Sequence, residues 1–321
     1  MTTKVSRRLA LGMPMLLAAP ALAQEVWPAR PIRMVLPYAP GGATDVICRL
    51  IADRLSQRLP QRVVVENRSG AGGNIGASAV ARSAPDGYTL LFTNNGHAVN
   101  KLLYTTLDYD PQKDLVPVTI VAESPMMLVV PASRPWRTLE DFVAAVRAAP
   151  DRYTYGTTGG GGTLQLVSIL LLQAAGLKMT DVPYRGSGPA YLDITAGNLD
   201  MLYDASLSSL PLVQSGQVRA LAVSTPRRMT ALPDMPSVTE AFPTAGFSVW
   251  QTILAPTGTP APVIARLNRE IAAVLAELRP RLAELGVERT VGNTPEEAVA
   301  YIAEETRRWP AIFQAAGIQA Q

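Results

Sequence analysis

Short apolar runs and amphipathic segments alternate along most of the chain. The runs "IRMVLPY", "RVVVEN", "YTLLFTN" and "YTYGTT" have the length and the bounding residues of strands. Segments with apolar residues at helical spacing lie between these runs, and the first of them contains Val46, Ile47, Leu50, Ile51 and Leu55. Strands that alternate with helices predict an α/β fold, with helices on both faces of mostly parallel sheets.

Capping residues mark two helices in the middle of the chain. Thr138 is the predicted N-cap of "LEDFVAAVRAA", with Asp141 in the capping-box position and Pro150 beyond the end. Thr163 opens "TLQLVSILLLQAA" as its predicted N-cap, and Gly176 closes this helix.

Residues 1–23 differ from the rest of the chain. A basic start, "MTTKVSRR", precedes an apolar run, "LALGMPMLLAAP", and the small residues "ALA". This order predicts an exported signal peptide that is cleaved after Ala23, by the general or the twin-arginine route. The apolar run is too short to span a membrane.

The basic excess of the full chain belongs to this segment. The sequence has 29 lysines and arginines against 26 aspartates and glutamates. Cleavage removes Lys4, Arg7 and Arg8 and no acidic residue, so the mature chain has 26 basic and 26 acidic residues. Because the mature chain is formally neutral, we predict no nucleic-acid partner.

A single cysteine and a single histidine restrict the chemistry. Cys48 has no partner for an internal disulfide and lies on the apolar face of a predicted helix, so we expect a small buried residue. His/Cys metal clusters are excluded, and a catalytic triad would have to include His97. No G-x-x-x-x-G-K-[ST] motif occurs, and "GAGGNIG" lacks the dinucleotide-binding spacing, so no cofactor is predicted.

Two glycine-rich loops form the candidate site. One runs from Pro40 to Asp45 as "PGGATD", and the other runs from Gly156 to Thr163 as "GTTGGGGT". Each is predicted to end a strand and begin a helix, where unpaired N–H groups and the helix dipole attract an anion. Glycine also lets a ligand approach the backbone without meeting a Cβ. We therefore predict a carboxylate between the loops; the alternative is that both are tight turns without a ligand.

Six motifs in a fixed order resemble a known family: "PYAPGGATD", "VVENRSGAGGNIGA", "PDGYTLL", "VPYRGSGPAYLD", "VRALAVSTPRR" and "LAPTGTPAPVIARLN". Together with the export signal, they resemble the Bug family, the extracytoplasmic solute receptors of tripartite tricarboxylate transporters. The resemblance implies a type II periplasmic binding protein fold, in which two α/β domains are joined by two crossover strands and a cleft closes on the ligand. It also implies a periplasmic protein, expected to be a monomer, that docks to an integral membrane permease with one large and one small subunit.

The family pattern also implies the domain limits and the binding residues. It places crossovers near Ser124-Pro125 and Val249-Trp250, which gives domain 1 residues 24–124 plus 251–321 and domain 2 residues 125–250. In the family, backbone amides of the two glycine loops hold one ligand carboxylate. On this sequence the loop residues expected to do so are Gly41, Gly42, Ala43, Thr44, Asp45, Gly159, Gly160, Gly161, Gly162 and Thr163. The residues expected to line the rest of the cleft are Tyr38, Asn95, His97, Tyr184 and Asp204.

Side chains in this set also have alternative roles. Asp45 supports the loop or favours the first helical turn electrostatically, and His97 caps a strand end. Tyr184 packs its own loop beside Arg185, which we interpret as a structural residue. For Asp204, the candidate partners are a ligand amine, a ligand hydroxyl or a nearby N–H.

These features predict a periplasmic receptor that captures a small carboxylate for a transporter and catalyses no reaction. One alternative is a sensor subunit that presents the liganded form to a membrane kinase, and another is an exported hydrolase built on His97. Many family members carry a histidine where this chain has Leu166 or its neighbour. An apolar side chain at this position would favour a longer or more apolar acid.

Overall fold

The computed structural model describes residues 27–159 and 162–320. The predicted signal peptide and its cleavage after Ala23 lie outside the described residues, as do Gly160 and Gly161 of the second glycine loop. Among the helices of the described part, none combines the length and the apolar character needed to cross a bilayer.

The described residues form eleven strands and ten α-helices. The strands are β1 (Ile32–Leu36), β2 (Val63–Asn67), β3 (Thr89–Asn94), β4 (Leu115–Ser124), β5 (Met126–Pro131), β6 (Thr154–Thr157), β7 (Thr180–Pro183), β8 (Met201–Ala205), β9 (Val218–Val223), β10 (Val249–Pro256) and β11 (Arg289–Thr290). The helices are α1 (Ala43–Arg58), α2 (Asn74–Ala81), α3 (Gly96–Leu103), α4 (Leu139–Ala148), α5 (Thr163–Ala175), α6 (Ser187–Ala196), α7 (Ser206–Gln214), α8 (Val238–Ala241), α9 (Ala261–Glu284) and α10 (Pro295–Ala316).

The strands form two mixed sheets. The first has six strands in the order β11-β4-β10-β3-β1-β2, and the second has five in the order β7-β6-β8-β5-β9. β1 and β6 pair in parallel with both neighbours, whereas β10 and β5 pair antiparallel with both of theirs. The α/β fold is confirmed, but the expectation of mostly parallel sheets is wrong. Parallel neighbours need a crossover connection within one sheet. The chain instead passes from the first sheet to the second between β4 and β5 and returns between β9 and β10, and β5 and β10 pair antiparallel with their neighbours.

Apolar side chains cover both faces of the first sheet. α1 and α9 pack on one face, and α2 and α10 pack on the other. β3 and β10 are buried along their whole length, which explains their nearly continuous apolar sequence. Cys48 is a free, fully buried thiol in this core, as predicted.

A separate apolar cluster packs around the second sheet and α4 and α5. Leu166 of α5 is fully buried within this cluster. Its side chain therefore packs in the core of the second sheet, and the expected effect of this position on ligand preference stays a prediction.

Helix starts follow the sequence signals in one case and depart from them in another. Thr138 Oγ1 accepts a hydrogen bond from the Asp141 N–H (3.1 Å), and the Asp141 carboxylate accepts one from the Thr138 N–H (3.2 Å), so the predicted capping box is confirmed. The N-cap of α5 is Gly162 and not Thr163, which is already helical. Gly176 ends α5 with a φ of +63°, in agreement with the prediction.

Candidate functional site

The first glycine loop joins β1 to α1. Gly41 has a φ of +92°, a conformation that favours glycine, and Gly42 is the N-cap of α1. Because the helix begins at Ala43, the N–H groups of Ala43 and Thr44 have no partner within the helix. They also have none elsewhere in the described part of the chain. The loop therefore presents two adjacent free backbone donors at a helix start.

Asp45 holds this loop in place. Its carboxylate accepts hydrogen bonds from the Gly41 N–H (3.1 Å), the Arg49 Nε (3.0 Å) and the Asn67 Nδ2 (3.0 Å). Burial by itself would raise the pKa of this carboxyl, but the hydrogen bonds together lower its pKa below the usual value. The geometry therefore fits the supporting role of Asp45 rather than direct ligand contact.

The second glycine loop joins β6 to α5. Thr157 Oγ1 accepts a hydrogen bond from the Gly159 N–H (3.1 Å) and donates one to Asp181 Oδ1 (2.6 Å). Gly159 has a φ of +65°, and its carbonyl accepts a hydrogen bond from the Gly162 N–H (2.9 Å). A Cβ on Gly162 would lie 2.0 Å from Thr158 Oγ1, so a larger residue at this position would require the Thr158 side chain to move.

Two adjoining cavities lie between the elements of the two sheets. The cavity of about 540 Å³ is named the first lobe, and the cavity of about 800 Å³ the second lobe. The lobes are parts of one cleft because they share seven lining residues, namely Ala39, Asn94, Thr158, Thr163, Leu164, Arg185 and Gly186. The starts of α1 and α5 both border the first lobe.

The structure brings most of the predicted site residues to this cleft. The first lobe is lined by Gly41, Gly42, Ala43, Thr44, Thr163 and Asp204. The second lobe is lined by Tyr38, Gly159, Gly162, Thr163 and Tyr184. Three predicted residues of the described part line neither lobe, namely Asp45, Asn95 and His97.

The two predicted tyrosines have hydroxyls that are already engaged by protein groups. The Tyr38 hydroxyl donates to Asn94 Oδ1 (2.6 Å), and burial raises its pKa to about 12. The Tyr184 hydroxyl donates to Asp193 Oδ2 (2.8 Å). Burial is the larger cause and the nearby Asp193 carboxylate the smaller cause that together raise the pKa of Tyr184 to about 12. Both hydroxyls therefore stay neutral near pH 7.

Asn95 and His97 are buried beside the cleft rather than within its lining. The Asn95 Nδ2 donates to the Ser248 carbonyl (3.0 Å), and its Oδ1 accepts from the Trp250 N–H (3.1 Å), which ties the start of α3 to β10. His97 lies within α3, so the alternative that it caps a strand end is wrong. Burial lowers the pKa of His97 to about 4, and the imidazole is therefore neutral near pH 7.

Arg185 is a cleft residue that the sequence interpretation assigned to structure. It lines both lobes, its side chain is exposed, and it forms no hydrogen bond or ion pair with any described residue. The structural interpretation therefore does not fit. One signal was available, because "PYRGSG" is a third glycine-containing junction between a strand, β7, and a helix, α6.

Sequence reasoning also missed Ser124 and Gln251, which line the first lobe from β4 and β10. Both strands were expected to contain crossovers, and polar residues at such positions could have been singled out. Among the residues that the structure describes, no group of His, Cys, Asp and Glu side chains could hold a metal ion.

Asp204 lies near the end of β8 and is 4% exposed. Burial raises the pKa of its carboxyl to about 6, although nearby donor groups, namely the Ala205 N–H and the side chains of Ser187, Tyr191 and Ser208, act in the opposite direction. The first lobe thus contains a buried carboxyl group on one side and the free N–H groups of α1 on another.

Comparisons with known proteins agree on one family. Residues 47–318 match the model of the tripartite tricarboxylate transporter family receptor. The protein BugT of Bordetella pertussis is 35% identical over 306 residues, which cover 94% of this chain and 93% of BugT. The structure of R. palustris Rpa4515 with adipate is 36% identical, with a TM-score of 0.84 over 92% of this chain and 100% of that chain. The structure of MatC from Rhodopseudomonas palustris with bound malate is 32% identical, with a TM-score of 0.80 over 89% of this chain and 99% of that chain.

Proposed function

The chain belongs to the receptor family of the tripartite tricarboxylate transporters, and from this premise we propose that its cleft holds the carboxylate of a small organic acid between the two glycine loops. The protein has the periplasmic binding protein fold, with two α/β halves around a cleft. It is a Bug-type solute receptor that captures a substrate for a transporter.

One observation carries the carboxylate assignment, namely that two helices begin at the same lobe. Ala43 and Thr44 at the start of α1, and Thr163 and Leu164 at the start of α5, all line the first lobe. Helix starts combine free N–H donors with a partial positive charge, and this combination favours an anion. Arg185 adds a full positive charge to the same lobe.

The ligands of the relatives support the same class of substrate. Rpa4515 was solved with adipate and MatC with malate. Both are small dicarboxylates, and both proteins match this chain over nearly its whole length. We therefore propose a small carboxylate of this size range for the present cleft.

We propose that the two halves are domain 1, residues 24–124 plus 251–321, and domain 2, residues 125–250. The passage of the chain between the sheets supports this division, because β4 ends at Ser124 in the first sheet and β5 begins at Met126 in the second. β10, in the first sheet, follows β9, in the second. Ligand binding then favours the closed arrangement of the two domains through the additional contacts formed there.

The cellular context is part of the same proposal. The protein acts as a monomer in the periplasm after residues 1–23 are removed, and its liganded form docks on an integral membrane permease. It catalyses no reaction. This last point is supported by the position of His97, since a hydrolase triad would require this buried side chain, which lines neither lobe.

Calorimetric titration of an acid and its primary amide tests the carboxylate clamp. The acid is the tightest binder in a thermal-shift screen of mono-, di- and tricarboxylates that includes adipate and malate. We expect the amide to bind about tenfold more weakly, because its NH₂ group would face N–H donors and leave buried groups unpaired. Equal affinity of the acid and the amide would show that the two loops do not clamp a carboxylate.

Arg185→Gln is expected to weaken the binding of the same acid about fivefold, because the exposed guanidinium adds a charge that solvent partly screens. Arg185→Lys should retain most of the affinity. Arg152→Gln, a matched exposed arginine that lines neither lobe, should leave the affinity unchanged. Titration of the three variants at low and moderate salt measures how much the charge of Arg185 contributes to ligand affinity. If Arg185→Gln binds the acid as tightly as the wild type does, Arg185 is not part of the site.

A further inference from the structure

Three buried side chains that line the first lobe each have a polar atom without a hydrogen-bond partner in the described part of the chain. The atoms are Asp204 Oδ2, Gln251 Oε1 and Ser124 Oγ, in residues that are 4%, 2% and 7% exposed. Seven such atoms occur among the described residues, and these three belong to residues that border the first lobe. Because buried polar groups are normally hydrogen-bonded, their clustering here indicates a common partner from outside the described chain.

The fold delivers these side chains to the lobe from both sheets. Ser124 of β4 pairs with Val249 of β10, and Gln251 lies two residues further along β10, so both side chains project from the same face of the first sheet. Asp204 of β8 pairs with Met127 of β5, just after the chain has passed from the first sheet to the second. The cluster therefore lies where the two halves of the molecule meet.

The chemistry of the cluster favours a hydrogen-bond donor. The Asp204 carboxylate and the Gln251 carbonyl oxygen accept hydrogen bonds, and the Ser124 hydroxyl can accept one. Burial raises the pKa of Asp204 to about 6, so its carboxyl is still mostly ionised near neutral pH. A second ligand carboxylate placed here would meet a like charge, whereas a hydroxyl or ammonium group would donate to these acceptors.

We propose that Asp204, Gln251 and Ser124 recognise a hydroxyl or ammonium group of the ligand, so that the receptor selects hydroxy acids or amino acids over plain carboxylic acids of the same length. The inference rests on the proposed function, because the glycine loops and Arg185 hold the carboxylate of the same ligand. In the first lobe, the helix starts and Arg185 then bind the ligand carboxylate, and the three acceptor side chains bind the hydroxyl or ammonium group of the ligand.

Titration calorimetry of matched acids near pH 7.5 tests this preference. Succinate, malate and aspartate share a four-carbon chain and differ in carrying no donor, a hydroxyl or an ammonium group; adipate, 2-hydroxyadipate and 2-aminoadipate form the six-carbon series. In at least one series, we expect a donor-bearing acid to bind about tenfold more tightly than the plain acid. Comparison of the hydroxy acid with the amino acid then identifies which donor the cluster prefers.

Asp204→Asn keeps the size of the side chain and replaces a charged acceptor with a neutral amide. We expect the preference for the donor-bearing acid over the plain acid to fall to within about threefold. Asp200→Asn is the matched control, because Asp200 is also buried but bonds Arg134 and Thr154 outside both lobes. This control should lower stability and leave the preference intact.

Two results would contradict the inference, and they are distinguishable. A plain acid that binds at least as tightly as its hydroxy and amino counterparts in both series would overturn the inference and leave the proposed carboxylate receptor intact. No binding of any of the six acids would overturn both. The wild-type series gives its answer even if Asp204→Asn does not fold.

Discussion

Replacing Gly42 with valine is expected to weaken binding of a carboxylate ligand roughly thirtyfold, about 2 kcal/mol, while the protein stays folded. Gly42 has an extended φ of −77°, and a Cβ at this position meets no atom within 4 Å. Valine therefore fits the backbone, and its branched side chain occupies space beside the free N–H groups of Ala43 and Thr44. A ligand carboxylate would lose charge-assisted hydrogen bonds to these donors.

Calorimetric titration and circular dichroism check this result on the same sample. Gly42→Ala should give an intermediate loss, since the effect grows with the size of the side chain. Gly317→Ala is the control, because Gly317 also has open space around its Cα but ends α10 with a φ of +67° and lines neither lobe. This control should lower the melting temperature and leave the affinity unchanged. Wild-type affinity in Gly42→Val would exclude the first loop from the site.

His97→Asn is expected to change how stability depends on pH. The pKa of His97 is about 4 in the folded protein, because burial disfavours the charged imidazole, and about 6.5 when unfolded. The unfolded chain therefore binds more protons between these values, and this residue lowers the free energy of unfolding as pH falls from 7 to 4. This decrease in the free energy of unfolding amounts to about 3 kcal/mol, and it should be absent from the asparagine variant, which has no imidazole to protonate.

Urea unfolding of the wild type and the variant at pH 7 and pH 4 measures this difference. Val99→Ala, on the same helix and fully buried, is the control, because it should lower stability by the same amount at both pH values. A variant with the full pH dependence of the wild type would contradict the buried neutral imidazole.

We expect His97→Asn to weaken ligand binding little, and a hydrolytic activity that disappears in this variant would favour the enzyme over the receptor.

Local sequence patterns were sufficient to place both glycine loops. The junctions from β1 to α1 and from β6 to α5 exist as predicted, because strand and helix periodicity and the conformations of glycine depend on a few adjacent residues. The same local reasoning misplaced the N-cap of α5 by one residue. A helix boundary depends on the backbone angles of a single residue, and here Gly162 rather than Thr163 takes the non-helical conformation.

The sequence by itself determined the alternation of strands and helices, the two loops and, through the motifs, the family. Only the tertiary structure decided which side chains from distant positions share the cleft. It directs Asn95 to the backbone of β10 and buries His97, although both lie near the loop that follows β3. It brings Arg185 and Gln251, 66 positions apart, to the same lobe. Whether a polar side chain meets a ligand or a buried backbone group depends on neighbours that are remote in sequence, and no local pattern contains them.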